Sequence, residues 1–209
     1  MCGRSGVDLA DFELEGYFGE VGITHRDLPW LPGADFWPGY DVLVARPNTH
    51  GELVAERARW GLVPPWWASI DGPGGDRKPY STHIARVETA ATTATWRDAW
   101  ARRAGAGRCL VLVTHWYEWT GPKGAKEAVR FTVPGHRAFA VAGLWSDFGG
   151  QLTAAMVTCA AAEDIAWAHD RMPLVLHPSV WPAWLAGQDG QVGLGPPPPG
   201  VVAGRVVGR

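Results

Sequence analysis

Cysteine is scarce in this chain of 209 residues, which has only Cys2, Cys109 and Cys159. No two of them have CxxC spacing, so neither a zinc motif nor a disulfide framework is predicted, and a reducing, cytoplasmic setting is favoured. The seven histidines show neither HxH nor HExxH spacing, so we expect no metal site and no cofactor. A Gly-rich phosphate loop and a Gly-x-Ser-x-Gly elbow are also missing.

Long apolar runs and excess charge are missing as well. No run of about 18 apolar residues is present, so neither a membrane span nor a membrane partner is expected. The formal net charge of −2 argues against a general nucleic-acid binder, and any contact with DNA would depend on a local basic patch. Thirteen tryptophans are unusual, and most are expected in the core or at an interface.

The sequence patterns predict an α+β fold with many short strands and few helices. Helical segments are predicted at 8–21, 90–103, 160–167 and 178–185. Strands are predicted at 40–45, 52–62, 109–119, 129–133, 139–145 and 152–159, with 129–133 and 139–145 forming an antiparallel pair. We therefore expect one compact domain, residues 1–192, with a curled, mainly antiparallel, barrel-like sheet and flanking helices. The Pro- and Gly-rich tail, 193–209, contains either a terminal strand or no ordered structure.

The N-terminal segment Met1-Cys2-Gly3-Arg4 offers two nucleophiles on adjacent carbons. Because Cys2 is small, we expect removal of Met1, which leaves an α-amine beside the thiol. An α-amine has a pKa of ~7.7–8.0, so it is partly neutral at physiological pH and can attack an aldehyde, after which the thiol can close a thiazolidine ring. The alternative is a frayed terminus without reactivity.

Two segments carry groups suited to nucleic-acid contacts. Two prolines precede Trp66 and Trp67, and exposed tryptophans stack on unpaired bases; the alternative is that both rings belong to the core. In the segment Ala85-Arg86-Val87-Glu88-Thr89, Arg86 could bind a phosphate or form a surface ion pair with Glu88.

Two other segments carry candidate acid–base groups. Glu118 is flanked by aromatic residues in Trp116-Tyr117-Glu118-Trp119, and a desolvated carboxyl group suits a general acid or base as well as a structural ion pair. His169 lies in His169-Asp170-Arg171-Met172-Pro173, and histidine titrates near neutrality. A lone histidine is more often structural.

Taken in order, these segments resemble the SRAP family, the SOS-response-associated peptidases. The resemblance runs from residue 1 to about 185. It rests on five short blocks: Met1-Cys2-Gly3-Arg4, 59–64, Ala85-Arg86-Val87-Glu88-Thr89, Tyr117-Glu118-Trp119 and His169-Asp170-Arg171-Met172-Pro173.

The resemblance implies a compact α+β protein with a positively charged groove, which binds single-stranded DNA at abasic sites and links to them covalently as a thiazolidine. It implies that Cys2 is the nucleophile, that Glu118 assists proton transfer, and that His169 helps to open the sugar ring and catalyses reversal. The implied DNA contacts are the phosphate-binding Arg4, Arg86 and Arg171, the wedge residues Trp66 and Trp67, and Thr158.

Three places depart from the family pattern. Ile84 stands where the family has an active-site asparagine, the segment 43–47 replaces its Tyr-Asn pair before Ala-Pro, and His115 stands where it commonly has a glycine. These changes affect the pocket rather than the nucleophile, so they bear on the substrate.

Three hypotheses follow, and in each the protein is expected to be a cytoplasmic monomer. The leading one is an enzyme-like protein that cross-links abasic sites in single-stranded DNA. The second is a diverged enzyme that uses Cys2, Glu118 and His169 on a small molecule, such as an aldehyde, a nucleoside or an amide. The third is a non-catalytic module that binds single-stranded DNA.

Overall fold

The computed structural model describes residues 3–25, 35–72, 74 and 81–208. The helices are α1 (Asp11–Val21), α2 (Val87–Ala90), α3 (Arg97–Trp100) and α4 (Trp181–Ala186). The strands are β1 (Ser5–Gly6), β2 (Thr24–His25), β3 (Asp35–Phe36), β4 (Asp41–Pro47), β5 (Leu53–Trp60), β6 (Ile84–Arg86), β7 (Ala106–Val113), β8 (His115–Thr120), β9 (Glu127–Thr132), β10 (Phe139–Phe148), β11 (Gln151–Ala160), β12 (Arg171–Pro173), β13 (Val175–Leu176) and β14 (Ala203–Gly208). In these ranges no helix is long and apolar enough to cross a membrane.

The strands form two sheets, and the larger one curls into a ring. Sheet A has the order β14-β9-β8-β1-β3. Sheet B has the order β12-β11-β10-β7-β4-β5-β2, and a further pairing of β11 with β5 closes a ring of five strands. Most pairs are antiparallel, whereas β2–β5, β5–β11 and β6–β11 are parallel. The α+β class with a curled, barrel-like sheet is therefore confirmed.

The core of the ring is built from apolar strands. All eight residues of β7 are buried, as its apolar run from Cys109 predicts for a strand covered on both faces, and the buried Arg108 forms an ion pair with Asp189. On one side, α4 packs Trp184 against β7, and its indole N–H donates to the carbonyl of Cys109 at 2.9 Å. Gly143 of β10 lies so close to β7 that a Cβ atom would stand 2.7 Å from the Cys109 sulfur, so only glycine fits there.

The predicted strand at 109–119 is in fact two strands in different sheets. The chain leaves β7 in sheet B and enters β8 in sheet A at Thr114, which is buried. The amide of Thr114 donates to the Gly6 carbonyl at 2.9 Å, and its hydroxyl oxygen accepts from the amide of Asp8 at 3.0 Å. These bonds to the N-terminal segment bring β8 alongside β1.

The predicted pairing of 129–133 with 139–145 is wrong. Both strands exist, but β9 lies in sheet A between β8 and β14, and β10 lies in sheet B between β7 and β11. The tail supplies β14, which pairs with β9 along its other edge.

Within the predicted helix at 90–103, only the last residue of α2 and the single turn α3 are helical, and turns separate the two. Residues 160–167 form no helix, whereas the helical predictions at 8–21 and 178–185 are confirmed by α1 and by a 3₁₀ turn followed by α4.

Candidate active site

Strand β1 directs the start of the chain towards Glu118. Cys2 itself lies outside the described residues. Ser5 pairs with Trp116 in antiparallel register, and the carbonyl of Arg4 accepts a hydrogen bond from the amide of Tyr117 at 2.9 Å. Since the strands are antiparallel, the chain from Arg4 back to Gly3 runs in the direction in which β8 continues from Tyr117 to Glu118.

Glu118 is a buried acid. It is 2% exposed and is the one carboxylate among the buried side chains that the structure describes. Because side chains alternate along a strand, Glu118 shares a face of β8 with Trp116, whose ring stacks on Phe131 with centroids 5.1 Å apart. The position is therefore desolvated and structurally fixed, which suits a proton-transfer group.

His169 lies in the turn before β12, with its side chain 25% exposed. Its Nδ1 accepts a hydrogen bond from the backbone N–H of Arg171 at 3.0 Å, and the same nitrogen lies 2.9 Å from Oδ1 of Asp170. These two contacts fix the orientation of the ring.

Arg171 forms an ion pair with Glu88. Its two terminal nitrogens donate to the two carboxylate oxygens of Glu88 at 2.6 and 2.9 Å, and one of them also donates to the carbonyl of Thr158 at 2.7 Å. Hydrogen bonding to Arg171 holds the pKa of Glu88 below its usual value. The surface pair considered for Arg86 and Glu88 is therefore replaced by a pair between Arg171 and Glu88. Thr158 is 2% exposed, and its hydroxyl donates to the carbonyl of Ala85 at 3.3 Å.

Strand β6 places Ile84 and Arg86 beside β11. Their parallel register partners are Met156 and Thr158, so the four side chains share one face. Ile84 is half-buried and packs against the core. Arg86 is exposed and makes no hydrogen bond or ion pair with another described residue, so it is an available cation at this face.

Arg4 and His115 meet at Asp35, a residue that the sequence analysis did not identify. Arg4 forms an ion pair with Asp35, and its guanidinium lies 4.2 Å from the centre of the Tyr117 ring. His115 is fully buried, and its Nε2 lies 2.7 Å from the other oxygen of Asp35. Its ring therefore does not face an open pocket. No sequence signal marks Asp35, because its partners are 31 and 80 residues away.

The structure brings the predicted residues together in two groups. Glu118 and His115 belong to β8 of sheet A, and Arg4 directly precedes β1. The second group lies on β6, β11 and β12 and just before β12: Ile84, Arg86, Thr158, Arg171 and His169. The groups meet where the Ser5 hydroxyl lies 4.0 Å from the sulfur of Met156.

The two tryptophans differ in exposure. Trp66 is 42% exposed and Trp67 is 7% exposed, with ring centroids 6.3 Å apart at an angle of 72°. Trp67 also lines a crevice of about 400 Å³ together with Trp60 and His83. Trp66 can therefore stack on a base, and the buried Trp67 packs against its ring.

The two described cysteines are not nucleophiles. Cys109 and Cys159 are buried and unpaired. Burial raises the pKa of Cys159 to about 11, and it also raises the pKa of Cys109. Neither is a thiolate at neutral pH. Across the described ranges, no three side chains of His, Cys, Asp or Glu are grouped as a metal site.

Comparisons with known proteins point to one family. The family described as "SOS response associated peptidase (SRAP)" matches residues 1–194. The chain is 28% identical to Abasic site processing protein YoaM of Bacillus subtilis, over 88% of this chain and 79% of that protein. It is also 28% identical to Abasic site processing protein YedK of Escherichia coli, with the same coverage.

The yeast relative is longer than this chain. Abasic site processing protein YMR114C of Saccharomyces cerevisiae is 29% identical over 77% of this chain, but the match spans only 43% of the yeast protein. Among solved structures, a protein from Bordetella bronchiseptica matches over the whole of both chains, with a TM-score of 0.78 and 25% identity.

Proposed function

Because the chain belongs to the SRAP family, we propose that it forms a covalent thiazolidine link between Cys2 and abasic sites in single-stranded DNA. Its relatives YoaM and YedK are named abasic site processing proteins, which supports DNA with abasic sites as the proposed substrate. The proposed enzyme needs no cofactor, because an amine, a thiol and an aldehyde react together with loss of water.

One observation carries the proposal: the strand that begins the chain is hydrogen bonded beside the buried Glu118. One residue, Gly3, separates Cys2 from Arg4, and the carbonyl of Arg4 accepts a hydrogen bond from the amide of Tyr117, the neighbour of Glu118. A nucleophile at residue 2 would therefore react close to a fixed carboxyl group. The inert state of Cys109 and Cys159 leaves Cys2 as the reactive thiol.

The proposed chemistry has three steps. The closed deoxyribose of the abasic site opens as His169 gives a proton to the ring oxygen and the C1′ hydroxyl loses one, which leaves an aldehyde at C1′. The α-amine of Cys2 then attacks the C1′ aldehyde, and the carbonyl oxygen leaves as water to give an imine, with Glu118 moving the protons. Finally, the Cys2 sulfur adds to the imine carbon, and the thiol proton passes to the nitrogen as the five-membered ring closes.

Phosphate binding is proposed to begin at Arg86. It is exposed, and although its charge helps to lower the pKa of Glu88, the two carboxylate oxygens of Glu88 are hydrogen bonded to Arg171, so Arg86 can bind a phosphate without breaking a hydrogen bond to Glu88. Arg4 and Arg171 already hold carboxylates, so they would contribute their remaining donors rather than an uncompensated charge. Trp66 would stack on a neighbouring base.

A second candidate function is a reaction of the same residues with a small aldehyde, nucleoside or amide. It is favoured by Ile84, which offers no hydrogen bond where a polar contact to a sugar would be needed, and by the ion pairs that cancel the charges of Arg4 and Arg171. A small neutral substrate would need little positive charge.

Denaturing electrophoresis after incubation with an abasic single-stranded oligonucleotide tests the proposal. The wild-type protein should give a stable adduct, Cys2→Ala should give none, and Cys2→Ser should give at most an imine that borohydride traps. An uncleaved N-terminal tag should act like Cys2→Ala. No adduct from the wild-type protein would leave the small-molecule enzyme as the better account.

A further inference from the structure

His115 is locked into one tautomer by its neighbours. Its Nδ1 faces a terminal nitrogen of Arg130 at 3.0 Å and the hydroxyl of Thr114 at 2.8 Å. Arginine can only donate, so Nδ1 accepts and the ring carries its proton on Nε2. Nε2–H then donates to Oδ1 of Asp35 at 2.7 Å. Burial lowers the pKa of His115 despite the hydrogen bond to Asp35, which agrees with a neutral ring.

Asp35 also binds Arg4 and so links it to His115. Its second oxygen, Oδ2, accepts from both Nε and one terminal nitrogen of Arg4. The guanidinium also lies over two rings, 4.2 Å from the centre of Tyr117 and 5.4 Å from that of Trp37. One edge of the guanidinium and its orientation are therefore fixed.

The opposite edge of the guanidinium remains open. Among the described residues, Nη1 of Arg4 makes no hydrogen bond, and the side chain is 30% exposed. An arginine that binds a carboxylate along its Nε edge still offers its two terminal nitrogens as a fork to a second anion. Arg4 directly precedes β1, and its carbonyl is bonded to the amide of Tyr117, so this fork lies on the segment that leads to Cys2.

We propose that His115 acts through Asp35 as a positioning residue that aims the free fork of Arg4 at a phosphate group of the bound strand. The inference rests on the proposed function, since it names the phosphate of that substrate as the ligand of Arg4. Because Asp35 cancels the charge of Arg4, the contact with the phosphate depends on how the guanidinium is oriented rather than on an uncompensated positive charge. Without the His115 donor, Oδ1 of Asp35 loses its hydrogen bond of 2.7 Å, and the carboxylate and Arg4 are held less firmly, although Tyr117 still contacts Asp35.

The test compares two replacements at residue 115 that differ in one donor. His115→Gln keeps an N–H donor at about the reach of Nε2, and His115→Leu removes it at similar volume. Each is made in the wild type and in Arg4→Ala. The measurement is the dissociation constant for a single-stranded oligonucleotide with a tetrahydrofuran abasic analogue, which cannot react with Cys2. If His115→Leu does not fold, His115→Asn, whose donor is too short to reach Asp35, takes its place.

The proposal expects His115→Leu to weaken binding roughly tenfold, which equals ~1.4 kcal/mol, and His115→Gln to stay within about twofold of wild type. In the Arg4→Ala background the two variants should bind alike. A folded His115→Leu with wild-type affinity, or an equal loss with and without Arg4, would overturn the positioning role. If the wild-type protein does not bind the oligonucleotide, the proposed function itself fails instead.

Discussion

The ion pair between Arg171 and Glu88 predicts that a substitution of the acid strengthens DNA binding. Glu88 holds both terminal nitrogens of Arg171, at 2.6 and 2.9 Å, so a phosphate at this place must compete with a carboxylate. Glu88→Gln keeps the shape and one acceptor but removes the negative charge. Since the Glu88 side chain is 50% exposed, the pair contributes only about 0–1 kcal/mol to stability, and the variant should stay folded.

The size of the effect follows from counterion release. Each additional phosphate contact on a single strand steepens the dependence of log K on log salt by about 0.7. If Glu88→Gln releases Arg171 for one phosphate, a fourfold rise in salt, from about 50 to 200 mM, should cost the variant about 2.6-fold more affinity than it costs the wild type. At the low-salt end the variant should bind more tightly.

Fluorescence anisotropy with an unreactive single-stranded oligonucleotide over this salt range measures both quantities. Glu15→Gln is the matched control, because it changes the net charge equally on an exposed face of α1. Parallel salt dependences for Glu88→Gln and wild type, or a shift that Glu15→Gln reproduces, would refute the reasoning that Arg171 contacts the strand.

Three further predictions concern the proposed chemistry and the neutral histidine. Glu118→Gln should slow adduct formation by ~10²–10⁴-fold in single-turnover assays, and His169→Ala should slow ring opening and reversal; wild-type rates would make both residues structural. Ile84→Asn should raise the cross-linking rate by up to about 10²–10³-fold by restoring a polar contact to the sugar, and no increase would favour a small-molecule substrate. Because burial lowers the pKa of His115, the unfolded state binds more protons, so the free energy of unfolding should fall as pH drops below ~6.5. In denaturant titrations His115→Gln should reduce this slope, and His83, whose pKa burial also lowers, should supply part of what remains. A slope equal to that of the wild type would contradict the neutral ring.

Local patterns predicted single elements better than their partners. The apolar spacing at 8–21 correctly predicted α1. Gly22 caps this helix with a φ of 69°, a left-handed conformation that glycine adopts readily. The apolar run at 109–119 could not reveal the change of sheet, because both halves are buried and only the hydrogen bonds of Thr114 to the distant N-terminal segment mark the break.

The incorrect prediction that 129–133 pairs with 139–145 has a similar cause. The turn after β9 resembles a hairpin turn, but the second edge of β9 is taken by β14, some 70 residues later in the chain. A local sequence pattern cannot show that a strand far along the chain will occupy the same edge.

In the site, residue types with chemical meaning were predictable and their partners were not. The aromatic neighbours of Glu118 predicted a desolvated carboxyl group, and the side chain is buried. Arg4 and Arg171 were predicted as phosphate ligands, but the carboxylates of Asp35 and Glu88 that hold them lie far away in sequence. The pairing decides how much charge the site can offer, and it required the structure.

The central claim, a covalent bond between Cys2 and the abasic sugar, is tested most directly by mass spectrometry of the digested adduct. After reaction with an abasic single-stranded oligonucleotide and digestion of both DNA and protein, the N-terminal peptide that begins with Cys2 should carry the mass of the deoxyribose moiety less one water. Its thiol should resist alkylation, because the sulfur is held in the thiazolidine ring. An unmodified N-terminal peptide with an alkylatable thiol, or a sugar on a lysine instead, would contradict the account.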